Sequence, residues 1–138
     1  MSLAKASIIK GLFWLIITVY HEAQGESAQG QKNVVKVILN RASAKGWPVE
    51  DVVKARKQFS CFNGGVKLML DTPGEFKAVT KVAENVYAAM DEWLEGDNLK
   101  GATHYYAATG ANAIPMPYWA KTMELVGTEG HHIFFKES

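Results

Sequence analysis

The stretch SIIKGLFWLIITVYHEAQGESAQGQKNVVKVILNRASA, residues 7–44, decides the architecture. Its first half spaces Ile8, Leu12, Leu15, Ile16, Val19 and Tyr20 as one side of a helix, and Phe13, Trp14 and Ile17 fill the other faces. A helix over about 7–23 that is apolar nearly all round belongs in the middle of a domain. Gly25 is suited to stop it, because glycine readily takes the left-handed conformation after a helix end, and this leaves Glu22 in the last turn. The second half predicts an amphipathic helix over about 29–44, with Val34, Val35, Ile38, Leu39 and Ala42 on one side and Lys32, Lys36 and Asn40 on another.

Outward from that stretch, Gly46, Trp47 and Pro48 break the chain, and Pro48 suits the first turn of a short helix through Val52 and Val53. QFSCFNGG (58–65) reads as an irregular loop, since Asn63, Gly64 and Gly65 are turn residues. Thr72, Pro73 and Glu75 form a capping box that starts a further helix. Its core face runs Phe76, Val79, Val82, Ala83, Val86, Met90, Trp93 and Leu94, and it ends before Gly96. Short pieces follow: GATHYYAA (101–108), a Gly, Asn and Pro loop (110–117), WAKTMELVG (119–127) and HHIFF (131–135). The glycines at 127 and 130 separate the last two and point to a hairpin. The expected class is α+β: a mainly helical domain with a small antiparallel sheet in the C-terminal half.

The 138 residues fit one domain, 1–138, large enough to fold without a staple, and 48% hydrophobic composition argues against disorder. Fifteen basic against fourteen acidic side chains give a net charge of +1, which excludes the basic excess that nucleic-acid binding exploits. Cys61 is the sole cysteine, so no internal disulfide forms. Lys5 and Lys10 precede the uncharged run GLFWLIITVY (11–20), a signal-peptide silhouette, but this run falls short of the roughly 20 apolar residues that span a bilayer. Because its continuation carries the chemistry, it is read as a buried helix, with no membrane insertion and synthesis as a cytoplasmic protein.

That chemistry sits in HEAQGE (21–26). Glu22 and Glu26 by themselves read as two surface acids beside a loop. Glu22 has more to it: the carbonyl end of a helix and apolar neighbours both disfavour the ionised form, which suits a general acid. Glycoside cleavage needs such an acid, and Glu26 is the candidate for a second carboxylate. Two other chemistries compete. His21, His104, His131 and His132 with Glu22 are zinc-ligand types, but HEAQG has Gly25 where a zincin helix needs its second histidine. Cys61 with a histidine would make a cysteine amidase, yet nothing beside it activates the thiol.

HEAQGESAQGQKNVVKVILNRA (21–42) resembles the signature of the SleB-like, spore-cortex-lytic cell wall hydrolases. WP (47–48), QFSCF (58–62), GATHYYA (101–107), P-x-WA (117–120) and GHHIFF (130–135) agree with that family in order. The resemblance covers about 7–135 and implies a lysozyme-like domain that cuts peptidoglycan glycan strands between N-acetylmuramic acid and N-acetylglucosamine. It implies a lytic transglycosylase with Glu22 as the one essential acid, no cofactor, no metal and no protein partner. A hydrolytic muramidase, a metal- or cysteine-dependent amidase and a non-catalytic wall-binding module are the alternatives. Tyr105, Tyr106, Trp119, Phe59 and Ser60 are the residues it suggests for substrate binding. Only one of Tyr105 and Tyr106 is expected to face a cleft, since neighbours on a strand point to opposite faces. Asn40 and Arg41 match a family string and are read as structural, with Arg41 pairing an acid. Gln24 stands where the family commonly has arginine. A phage endolysin released by other means fits the absence of a clear export signal.

Overall fold

The computed structural model describes residues 3–23, 25–55, 73–111 and 113–137. Among the described residues four α-helices, α1 (Leu3–Ala23), α2 (Ala28–Lys45), α3 (Val49–Lys54) and α4 (Pro73–Leu94), precede three strands, β1 (His104–Ala107), β2 (Glu124–Glu129) and β3 (His132–Lys136). The strands form one antiparallel sheet in the order β1-β3-β2, so the class is α+β, as expected. QFSCFNGG, with Phe59, Ser60 and Cys61, lies outside the described residues, as do Thr72 of the capping box and Gln24.

The ends of α2 show how the chain sets its own boundaries. Ser27 caps the N-terminus, its Oγ accepting the Gly30 N–H at 3.1 Å, so the helix begins just before the expected Gln29. At the other end Gly46 takes φ 67° and donates its N–H to Ala42. Pro48 stands just outside α3 at its N-cap, rather than inside its first turn. α1 reaches back to Leu3, because LAKA is built of good helix formers.

The main core joins all four helices: Leu15, Val19 and Ala23 from α1, Val34, Val35 and Ile38 from α2, Val52 and Val53 from α3, and Val82, Val86 and Ala89 from α4. Each fully buried valine, leucine or isoleucine contributes about 1.5–3 kcal/mol. Two ends of the expected α4 core face are outside it: Phe76 and Leu94 are 60% and 65% exposed. The middle of the apolar stripe packs on α1 and α2, and the terminal turns overhang them.

The central helix is α2, not the greasier α1. Phe13 of α1 is exposed, and Leu12, Trp14, Ile16 and Tyr20 are half-buried. In contrast α2 is covered on nearly every side, including its polar one. Lys36, expected on a solvated face, is 1% exposed and lies 2.8 Å from Glu92 and 3.0 Å from Asp97, while Lys32 reaches Glu92 at 2.7 Å. Burial would lower the Lys36 ammonium, but the hydrogen bonds and charges of Glu92 and Asp97 outweigh it and raise it.

Asn40 fastens α2 to the start of the sheet. Its Nδ2 donates to the carbonyls of Asn98 (2.8 Å) and Ala102 (2.7 Å), and its Oδ1 accepts from Trp93 Nε1 at 2.8 Å. Arg41 continues the job by donating from Nε to the Thr103 carbonyl. The structural reading of this pair holds, with one correction: among the described residues Arg41 makes no close ion pair, because its buried position brings it to a backbone carbonyl instead.

On the sheet, Tyr105 pairs with Phe134 and Tyr106 with Ile133. Phe134 packs with Val37 and Ala102 toward α2, and Tyr105 leans on the same cluster. Tyr106, Phe135 and Ala120 form a second small core on the opposite face, with Trp119 against it.

Candidate active site

The turn between α1 and α2 is fixed from three directions. The Ala23 carbonyl accepts the Glu26 N–H at 2.9 Å and Gln31 Nε2 at 3.1 Å, and Gln31 Oε1 accepts Asn85 Nδ2 of α4 at 2.7 Å. Gln31 is 6% exposed, so this link is made away from water, where a hydrogen bond costs most to leave unmade. Glu22 is the residue before this pinned carbonyl, half-buried in the last turn of α1. Its backbone is therefore held, and its charge acts on His132 of β3.

Glu26 occupies a slot against the β2–β3 hairpin. Its Oε1 accepts the His131 N–H at 3.1 Å, its Oε2 lies 2.7 Å from His131 Nδ1, and its side chain is 9% exposed. Glycines make the room: a Cβ on Gly130 would lie 2.9 Å from Glu26 Oε1, and one on Gly30 3.1 Å from Glu26 Cβ. Gly130 also has φ +57°, a backbone state that disfavours other residues. Burial would raise the Glu26 carboxyl, but the side-chain and backbone hydrogen bonds of His131 and the nearby imidazoles prevail and lower it. Glu26 thus holds the α1–α2 turn to the β2–β3 hairpin as a carboxylate.

His132 of β3 lies beside this slot. It is 5% exposed, its Nδ1 is buried 3.7 Å from Glu26 Oε1, beyond hydrogen-bonding range, and its ring packs 4.8 Å from Tyr105. Desolvation pushes the imidazole down despite the carboxylates of Glu26 and Glu22, so it is neutral at neutral pH. Tyr105, His132 and Phe134 line one face of the sheet.

Of the expected substrate-binding residues, Tyr105 is thus on the face beside the two glutamates. Tyr106 is not: it is 7% exposed and stacked on Phe135 at 5.9 Å, which leaves no ring face for a sugar. Trp119 is half-buried, packed edge-on to Phe135 and Tyr106 and tilted over His104 at 5.0 Å. Phe59 and Ser60 lie outside the described residues. Glu26, proposed as a second catalytic carboxylate, has both oxygens engaged by His131, unlike a base or nucleophile awaiting substrate. Sequence reasoning passed over Gln31, Asn85 and the Gly30–Gly130 slot, and weighed His131 only as a metal-ligand type and as part of the GHHIFF string. The one local signal was Gly130, read with Gly127 simply as marking the hairpin. Among the described residues no three His, Cys, Asp or Glu side chains converge as a metal site, and no helix is long and apolar enough to cross a membrane.

His104, at the far end of β1, shares a hydrogen with Thr103 Oγ1 at 2.9 Å. Desolvation, helped by the charges of Arg41 and Lys45, pushes its imidazole down to about 4. Folded, it stays neutral where the unfolded chain's imidazole, near 6.5, takes up a proton. Its neutral form therefore supports the fold at pH 7, and that support is lost as pH falls from about 6.5 to about 4. Discounted for partial exposure, this is about 1–2 kcal/mol, on the order of 5 °C in Tm. His104→Asn should reduce the Tm difference between neutral and acid pH by that amount. An unchanged difference would refute the assignment.

The fold is shared with solved proteins. The catalytic domain of the Bacillus cereus SleB protein superposes with a TM-score of 0.68 at 26% identity, over 91% of this chain and 89% of that one. The catalytic domain of the germination-specific lytic transglycosylase SleB from Bacillus anthracis does so at 0.68 and 25%, over 91% and 93%. No curated protein sequence gives a significant match. Fold and family model together define a SleB-like enzyme that degrades cell wall. The chain belongs to the Cell Wall Hydrolase family, whose model matches residues 25–135. That match begins at Gly25, so it contains Glu26 and starts just after Glu22.

Proposed function

We propose that the protein cleaves peptidoglycan glycan strands between N-acetylmuramic acid and N-acetylglucosamine as a lytic transglycosylase, with Glu22 as the proton-transferring residue. The observation that carries this is the position of Glu22. It is half-buried in the last turn of a helix whose final carbonyl is held by Gln31, opposite the sheet face of Tyr105 and His132. The fold supports the same reading, since a similar domain is described as a lytic transglycosylase.

In the first step the Glu22 carboxyl gives its proton to the glycosidic oxygen, the bond from that oxygen to muramic C1 breaks, and the N-acetylglucosamine end leaves as an alcohol. In the second, the muramic 6-hydroxyl oxygen bonds to C1 and its proton returns to the Glu22 carboxylate. The product is a 1,6-anhydro ring, and no water is consumed. One carboxyl group serves both steps, which leaves Glu26 free for its structural task between His131 and the turn. Tyr105 is the aromatic residue placed to border the bound sugar. His132, buried and neutral, places no positive charge beside Glu22. The reaction takes place at the cell wall.

Mass spectrometry of muropeptides released from purified sacculi tests the product. Anhydromuramic ends, lighter by one water than reducing ends, are expected throughout. Reducing muramic ends would identify a hydrolytic muramidase instead.

A further inference from the structure

A concave feature lies well away from Glu22, where the C-terminal end of α2 meets the start of β1. Arg41 stands 13 residues beyond Ala28 at the start of α2 (41 − 28), about 20 Å along the helix. His104 begins β1, whereas the end paired with His132 is Ala107. Between them opens a cleft of about 270 Å³ whose lining includes Arg41, Lys45, Trp47, Thr103, His104 and Glu137. That is slightly below the roughly 300–1,000 Å³ of sites that enclose drug-sized ligands, so it suits a small group and not a glycan strand.

One of its charges is buried. Arg41 is 8% exposed, and its one hydrogen bond among the described residues runs from Nε to the Thr103 carbonyl. A guanidinium offers five N–H donors in a fixed fork, so most of its donor capacity is uncommitted by that bond. Glu137 lines the cleft and acts on Arg41 by charge alone, without a hydrogen bond. Desolvation lowers the guanidinium to about 10, which still leaves it charged at neutral pH. Lys45 brings a second cation, held 4.6 Å over the ring of Trp47, which is itself 45% exposed. Two cations thus face one carboxylate, and a buried cation lacking a close counterion is costly unless an anion completes it.

We infer that this cleft binds a small carboxylate, with the Arg41 fork taking its two oxygens, Lys45 adding a second positive charge and Trp47 forming the apolar wall. Planar two-point recognition of a carboxylate is what a guanidinium does best. The class includes the free C-terminus of a short peptide and a carboxylate borne on a sugar.

Three probes separate the sources: N-acetyl-D-alanyl-D-alanine, its C-terminal amide, and N-acetylmuramic acid, each titrated into the 15N-labelled full chain and followed by amide NMR shifts. Saturable shifts at Lys45, Thr103 and the Trp47 indole are expected with the peptide acid and not with its amide. The same shifts with N-acetylmuramic acid alone would support the site and assign it to a sugar-borne acid. Lys45→Ala and Trp47→Ala, both changes at exposed positions that the fold tolerates, should each weaken binding several-fold. Equal shifts from acid and amide, or no shifts at these residues from either acid, would overturn the proposal and leave Arg41 as a strut to Thr103. Glu22→Gln should bind the probe unchanged, so failure of this site and failure of glycan cleavage are read separately.

Discussion

Glu22→Gln is expected to lower the release of muropeptides from purified sacculi by on the order of 10³-fold, the usual scale for loss of a positioned general acid. The amide matches the carboxyl in size and shape but has no acidic proton for the leaving oxygen. Binding to intact sacculi should persist, because the sheet face with Tyr105 and the turn held by Gln31 are untouched. Melting temperature should stay within a few degrees, since a half-buried site at a helix end loses little on an isosteric change. Unaltered lysis in this variant would remove Glu22 from the mechanism and with it the proposed chemistry. A non-catalytic wall-binding module would show binding and no lysis in the parent protein as well.

Gly130→Ala should be strongly destabilising. Residue 130 has φ +57°, and the added Cβ would lie 2.9 Å from Glu26 Oε1, closer than such atoms approach. The backbone penalty for a non-glycine residue there is about 1–2 kcal/mol. Moving the Glu26 carboxylate off His131 adds the loss of hydrogen bonds to a charged group, about 1.5–3 kcal/mol. The sum is about 2.5–5 kcal/mol, or on the order of 10 °C in Tm. The two parts are separable: in a Glu26→Ala background the steric conflict disappears, and Gly130→Ala should then cost only the backbone part, about 1–2 kcal/mol. Strict additivity of the two changes in thermal melts would contradict a shared slot. Lytic activity should fall alongside stability in Gly130→Ala, because the turn that Glu26 fastens to the hairpin is the turn that follows Glu22.

Much of the fold was legible because it is written in local spacing. The α4 boundaries followed from Pro73 and the approach to Gly96, and the hairpin from two glycines between β-prone runs. The limits of this reading show at α1 and α2. The all-apolar α1 reads as the central helix, yet Phe13 is exposed, and the amphipathic-looking α2 is enclosed instead. Lys36 misleads for a plain reason: its charge is neutralised by Glu92 and Asp97, both more than fifty residues away, and hydropathy takes no account of distant partners. Tyr105 and Tyr106 illustrate the same limit on the sheet. Alternation says that they part company, but which of them meets the glutamates depends on which face β1 turns to α2.

The order of residues along the chain was enough for the helices, the hairpin, the position of Glu22 in the last turn of α1 and the family resemblance, since each depends on neighbours a few positions apart. Three matters were left to the packing: which helix is enclosed, which tyrosine stands beside the site, and what Glu26 does. His131 lies 105 residues from Glu26, and the slot between Gly30 and Gly130 exists only once the hairpin has docked on the α1–α2 turn. Such contacts are a property of the folded shape, because nothing local in either segment specifies the other.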